Sequence, residues 1–382
     1  MDFALSDDQQ QLRKEIIEFS HEQLNGDERR RDAEQCFSLD LWQKCGERKL
    51  QGLPVDEAFG GRGLSPLSTA IAIEAMGYGC HDSGLVFSVA AHLLACVVPV
   101  WKHGSHEQKR RYLPPLCQGG LIAANGMTEP GSGSDAFSMT TRAEREGTGY
   151  RLNGKKTLIS NAPVADVVVV YAMTDPDRGF LGGATAFLIE RSTPGLAFGP
   201  PIEKMSLRTT QMGELVFEDA YVPAESVIGA EGAGATLFSQ SMEWERICLV
   251  AAHVGKMEWL LEKAVRHART RTAFGQRIGK FQAVSHRIAD MKVRLEAARW
   301  LTYKAAWRLD RARDIAVDAS VTKIFASEAL VDTALDVVRT LGGYGVLVEH
   351  DVERSLRDSV ASVLYSGTND LQRDIIARWL GL

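Results

Sequence analysis

This chain contains no long apolar run, no clustered cysteine and no excess of positive charge. No stretch of its 382 residues reaches the ~18 uninterrupted apolar residues of a membrane span. The nearest, LVFSVAAHLLACVVPVW (85–101), carries Ser88 and His92 and meets Pro99, which predicts a buried core helix. The six cysteines (Cys36, Cys45, Cys80, Cys96, Cys117, Cys248) are scattered without a CxxC pair, which excludes a zinc ribbon or a dithiol redox motif and leaves reduced core thiols. Lys and Arg (44) fall short of Asp and Glu (49), a net charge of −5, so the basic face of a nucleic-acid binder is missing. The start, MDFALSDDQQQLRKEI, has neither a basic n-region nor an apolar h-region; it reads as a helix capped by Ser6 or Asp7, and the expectation is a cytoplasmic protein. What remains, 45% apolar and 24% charged, is an ordinary globular composition.

The texture changes twice along the chain. Residues 1–120 are helical in pattern, and residues 121–235 break into short β-branched runs such as ADVVVVYAMT and GATAFLIER, punctuated by Gly, Pro, Asn and Asp. Residues 236–382 return to helical periodicity: Phe238, Met242, Leu249, Val250, Val254, Met257 and Leu261 mark one stripe. Further helices are predicted near 281–310, 314–341 and 349–363, with a short one after Gly367. The expected class is α+β: an N-terminal helical domain, a middle antiparallel β-barrel or sandwich, and a C-terminal four-helix bundle. Asn153-Gly154 in GYRLNGKK reads as a type I′ hairpin turn.

Several tempting motifs fail. GYRLNGKK approaches a P-loop, but Lys156 stands at the hydroxyl position; GAEGAG (229–234) lacks the GxGxxG order. His103 and His106 have neither an HExxH helix nor a cysteine partner, and GSGSD (131–135) is no nucleophile elbow.

TEPGSGSDA (128–136) offers exposed backbone N–H groups and hydroxyls, enough for an anion or the polar edge of a ring. It is followed in order by LNGKKTLIS, RTAFGQRIGKFQ (271–282), LGGYG (341–345) and LYSGTNDLQR (364–373). In that order and spacing, over the whole chain, the set resembles the acyl-CoA dehydrogenase family of flavoproteins. The resemblance implies FAD as cofactor. Met127 and Thr128 would meet the pyrimidine side of the flavin ring, with Gly133 in the same loop. Ser134 would lie near the flavin phosphates or the acyl thioester. Ser160 keeps the hydroxyl that bonds N5, while Leu158 replaces the family's usual aromatic wall. Arg271 and Phe274, with Gln282 close by, would reach the FAD of a neighbouring subunit, implying a homo-oligomer built as a dimer of dimers. Gly342 and Gly343 would pass the pyrophosphate, Arg339 stands where the family commonly has Gln, and Thr368 and Asp370 would touch FAD.

The implied reaction removes hydrogens from Cα and Cβ of an acyl thioester, and its α-proton needs a carboxylate of raised pKa in a dry pocket. Many family members supply it as YEGT; this chain has Tyr365-Ser366-Gly367-Thr368, and an unassisted serine is no such base. Glu245, three residues after Met242 and four before Leu249, projects instead from the apolar stripe, where a carboxylate is costly unless paired, protonated or used. Glu245-Arg246 matches the placement of the base in a branch resembling the isovaleryl and long-chain dehydrogenases; the structural alternative is an interior Glu paired with Arg246 or Arg277. Glu243, Trp244, Arg246, Tyr365, Ser366 and Gly367, with Ser134, are the expected substrate contacts, and Trp244 beside the base suggests a short channel and a compact acyl group. The thioester carrier would be CoA or an acyl carrier protein, and the electron acceptor an electron-transfer flavoprotein or oxygen. A related reading is a carrier-tethered aminoacyl or hydroxyacyl (for example prolyl) dehydrogenase or oxidase of a natural-product pathway; an inactive scaffold is the reading from another class.

Overall fold

The computed structural model describes residues 4–312 and 314–382. The chain enters a helix at Asp7–Gln23 through a capping box: Ser6 Oγ accepts from the Gln9 N–H and the Gln9 side chain accepts from the Ser6 N–H. Helices Glu28–Glu34, Leu39–Glu47, Pro66–Gly79, Ser83–His103 and His106–Cys117 complete the N-terminal layer. Among the described residues, only Ser83–His103 is long and apolar enough to cross a membrane, and 83% of its most apolar window is buried inside the protein. Its hydrogen bonding widens to a π-turn over Leu93–Val97, just ahead of Pro99, whose ring cannot follow an α ladder.

Seven strands follow: β1 (Ala123–Gly126), β2 (Arg142–Glu146), β3 (Gly149–Ser160), β4 (Val167–Met173), β5 (Ala184–Glu190), β6 (Leu196–Phe198) and β7 (Met212–Pro223). They form one sheet in the order β1-β4-β2-β3-β7-β6, with β5 paired to β4. The sheet is mostly antiparallel, but β1 and β2 run parallel to β4. Because β5 covers β4 along its full length, β1 and β2 share the other edge, and the sheet curls. β4 is buried on both faces: Val167, Val169, Tyr171 and Met173 rest on the helical layer, while Val168, Val170 and Ala172 join the core inside the curl. That explains its uninterrupted apolar run.

The turn expected at Asn153-Gly154 is not there. β3 runs straight through it, and Gly154 (φ +147°) sits at a β-bulge where the β3–β7 register shifts. A Cβ at Gly154 would lie 2.7 Å from Thr141 Cα, so the glycine serves a close strand approach rather than a reversal. The reversal is at Gly147-Thr148, between β2 and β3, with Gly147 at φ +55°.

The C-terminal layer is built from helices Gly234–Trp244, Ala251–Thr270, Gln282–Arg308, Ala316–Leu341, Val352–Ala361 and Asn369–Trp379, with a small hairpin of β8 (Thr272–Ala273) and β9 (Gln276–Arg277) projecting from it. Ala251–Thr270 packs backbone to backbone against Pro66–Gly79: a Cβ on Gly255 would lie 2.0 Å from Glu74 O, and one on Gly77 would lie 2.3 Å from Ala252 O. The two helical layers are thereby joined, and the β domain lies against them beside the site.

Candidate active site

Between the helices Gly234–Trp244 and Ala251–Thr270 lies a second π-turn, Glu245–Leu249, which packs against the π-turn Leu93–Val97. Such widened turns rotate side chains out of the 3.6-residue register and recur at functional sites. Here the turn presents Glu245 to a cleft of about 690 Å³ while leaving it 8% exposed. Its Oε1 accepts a hydrogen bond from Ser366 Oγ at 2.5 Å. Arg246, the next residue, donates from Nε to Ser366 O at 2.9 Å. Burial pushes the Glu245 carboxyl up; the Ser366 hydrogen bond and the charges of Arg246 and Lys323 oppose the rise. Lys323 is itself buried, lowered to about 7 by that burial, and donates to Asn369 Oδ1 at 2.6 Å. Ala91, Ala95, Phe238 and Met242 supply apolar surface to the cleft wall. A buried carboxylate with a raised pKa is what removal of a weakly acidic C–H requires.

The structure brings most of the expected contacts into that cleft. Met127, Thr128, Gly133, Ser134, Leu158 and Ser160 line it from the β side, and Glu245, Arg246, Tyr365, Ser366 and Gly367 from the helical side. Leu158 is held at φ +56° and is 55% exposed, an apolar side chain offered to the cleft from a register break between Lys156 and Ile159 in β3. Non-glycine residues adopt this conformation rarely and at a cost, and they cluster at ligand sites. A Cβ on Gly133 would meet nothing within 4 Å, so the backbone there borders open space. A long groove with hydroxyls at Thr128, Ser134 and Ser160, bare backbone at Gly133 and an unpartnered apolar wall at Leu158 fits a flavin ring and its polar edge.

Other expected residues lie elsewhere. Trp244 does not line the cleft: it is buried, packs edge-on against Trp101 with ring centroids 6.2 Å apart, and cannot narrow the channel. Glu243 is half-buried beyond the lining, its carboxyl raised by burial. Thr368 caps the last helix, accepting from Leu371 N at 3.3 Å, and Asp370 is exposed beside Arg373. Arg271, Gly342 and Gly343 line a separate groove of about 460 Å³ with His267 and Tyr344, and Arg339 pairs with Asp336 at 3.5 Å. Phe274, at the tip of the β8–β9 hairpin, is 95% exposed, and Gln282 starts its helix exposed.

Three contributors escape sequence reasoning. Lys156 and Glu129 form a fully buried ion pair at 2.8 Å, and Lys156 also donates to Met127 O at 3.2 Å, pinning the TEPGSGSD loop to β3. Burial alone would raise Glu129; Lys156, Thr140 and Thr141 hold it down to about 2. Phe137 stacks on Phe180 (centroids 4.7 Å apart) at the cleft. His253 Nε2 meets the Tyr365 hydroxyl at 2.6 Å behind the Tyr365 ring, and burial lowers that imidazole to about 3. His253 in the apolar run LVAAHVG carries such a signal without naming its partner, whereas Lys156, next to Lys155 in a polar run, carries none.

Comparisons with known proteins agree along the whole chain. Family models described as the N-terminal, middle and C-terminal domains of acyl-CoA dehydrogenase match residues 6–120, 124–220 and 232–381. An L-prolyl-[peptidyl-carrier protein] dehydrogenase of Serratia sp. (strain ATCC 39006) is 45% identical over 382 residues, covering 100% of this chain and 99% of the relative. A second protein of that name, from Pseudomonas fluorescens, is 44% identical, covering 100% of both. Among solved structures, PigA with FAD and proline superposes with a TM-score of 0.98 at 45% identity, covering 100% of both chains. The prolyl acyl carrier protein oxidase AnaB superposes at 0.97 with 44% identity, covering 99% of this chain and 100% of the other. With three consecutive domain matches and full-length relatives well above 30% identity, the chain belongs to the acyl-CoA dehydrogenase family.

Proposed function

We propose that this protein catalyses the FAD-dependent α,β-dehydrogenation of a prolyl group held as a thioester on a carrier protein, with Glu245 as the base. The observation that carries the chemistry is the buried Glu245 carboxylate at the cleft, held by Ser366 and raised by burial. The substrate class is supported by the two prolyl-carrier relatives, which match end to end. Glu245 takes the α-proton, which the electron-withdrawing thioester makes removable. Bound FAD supplies the acceptor for the hydride leaving Cβ. Thr128, Ser134 and Ser160, which line the cleft, would hold the ring and the thioester by hydrogen bonding, and Leu158, Phe238 and Met242 would exclude water from the reacting carbons. Arg246 keeps a fixed cation beside the base through its bond to the Ser366 carbonyl. Intact lining of this kind argues against an inactive scaffold.

A short acyl-CoA substrate is the second reading, because a short-chain acyl-CoA dehydrogenase of Clostridium acetobutylicum is 35% identical over 377 residues and CoA shares the phosphopantetheine arm. Anaerobic flavin bleaching separates the two. L-Prolyl carrier protein is expected to bleach the flavin within seconds, with butyryl-CoA and palmitoyl-CoA far slower. Bleaching by butyryl-CoA, with none by the prolyl carrier, would move the assignment to an acyl-CoA. The same samples identify the acceptor: reoxidation on admitting air marks an oxidase, and reoxidation only with electron-transfer flavoprotein marks a dehydrogenase.

A further inference from the structure

We propose that Ser366 is a positioning residue for Glu245, its hydroxyl fixing the orientation of the carboxylate that faces the cleft. The inference rests on the reading of Glu245 as base. Among the described residues, Ser366 alone donates a hydrogen bond to that carboxylate, Oγ to Oε1 at 2.5 Å, which leaves Oε2 for the substrate. Its own backbone is unusual: Ser366 stands at φ +58° and Gly367 at φ +81°. Glycine would adopt the first of these without strain, yet a side chain is present there and its hydroxyl is engaged. The turn is held from three sides, by Arg246 Nε on Ser366 O (2.9 Å), by Gln372 Nε2 on Gly367 O (3.1 Å) and by the Thr368 cap, so the hydroxyl is presented from a fixed position.

The remaining groups that face Glu245 come from its own turn, from the Ser366 turn and from three other elements. Arg246 follows it in the same π-turn, and Lys323 lies on Ala316–Leu341. Cys96 (Ser83–His103), Tyr171 (β4) and Tyr365 are pushed up by burial and stay neutral. Arg246 stays charged throughout, and Lys323, titrating near 7, is present in every variant below, so a difference between variants reports the hydroxyl. A donor to the carboxylate favours its charged form; removing the donor raises the carboxyl's pKa, and the acidic limb of the pH–rate profile moves to higher pH.

The test is the rate of flavin reduction by prolyl carrier protein across about pH 5–9 for the parent, Ser366→Ala, Ser366→Gly and Glu245→Gln, each with its FAD content measured. The two Ser366 variants lose the same hydroxyl but differ in backbone strain, so a common shift isolates the hydrogen bond. Expected is a shift of both acidic limbs to higher pH, with the rate falling on the order of tenfold or more near pH 6 and by less near pH 9, while Glu245→Gln is inert throughout. Profiles parallel to the parent's, with Glu245→Gln inert, overturn the role of Ser366 and leave the base in place. A Glu245→Gln enzyme that reduces flavin at the parental rate overturns the base and this inference together.

Discussion

A glutamate on the apolar stripe of a helix is visible in the sequence as a misplaced charge; what answers it is not. Glu245 and Ser366 are 121 residues apart, and only the fold shows one donating to the other. Glu245→Gln keeps shape and hydrogen bonding but removes proton affinity. Flavin reduction is expected to fall about 10²–10⁴-fold with FAD retained, read by stopped flow. The carboxylate and the Ser366 hydroxyl converge on one spot, so Glu245→Gly combined with Ser366→Glu is expected to recover part of the loss; no recovery would show that the turn cannot aim a carboxylate at Cα. Trp244 illustrates the opposite failure. Adjacency in sequence suggested a shared channel, but successive residues on a helix point about 100° apart, and the indole turns to Trp101. Compactness of the substrate therefore no longer rests on Trp244.

At the level of elements, periodicity located the helices, and the strand texture located the β domain. Both π-turns were hidden, since each is a local departure from the 3.6-residue register that periodicity assumes. The hairpin was misplaced because Asn-Gly is a strong turn signal, whereas the glycine at 154 answers a steric demand from Thr141, distant in sequence. The buried Lys156–Glu129 pair is what this element level turns on, because it ties β3 to the loop that carries Met127, Thr128 and Ser134. Glu129→Gln strands a buried ammonium, and the expected cost is roughly 3–5 kcal/mol in urea unfolding, with weakened FAD binding. Glu129→Gln with Lys156→Met removes both charges and is expected to recover much of that. The pH dependence has a defined sign. The folded carboxylate is held at about 2 against its usual 4.5, so its contribution is complete above 4.5 and is lost as pH falls toward 2. Unfolding measured against pH in parent and double variant checks it: the two curves are expected to converge over that window, and parallel curves would assign the acid sensitivity elsewhere.

For the whole molecule, the α+β class with its three layers was legible because each layer has its own residue texture, and each texture follows from which faces it buries. A homo-oligomer is an expectation drawn from resemblance alone, and the single chain carries two features that bear on it. Phe274 is 95% exposed and held at φ +49° at the tip of the β8–β9 hairpin. Within its own chain its ring meets Phe281 edge-on, with centroids 6.0 Å apart, and that one contact leaves nearly all of a bulky aromatic in water in a costly conformation. The groove lined by Arg271, Gly342 and Gly343 is likewise separate from the cleft of its own copy. Both features make sense if a second copy brings its own FAD against the hairpin, with Arg271 toward phosphate and Phe274 buried in the joint. Phe274→Ser then removes roughly 1.5–3 kcal/mol of apolar burial per hairpin, on the order of ten- to a hundredfold in association. Sedimentation is expected to show dissociation of the oligomer at micromolar protein, with FAD lost in parallel. Arg271→Ala is expected to lose FAD affinity while the oligomer persists, because it removes a phosphate contact and leaves the apolar joint. A parent chain that sediments as a monomer and still holds FAD tightly would remove the second copy from the site, and Phe274 would then have to be explained by a partner of another kind.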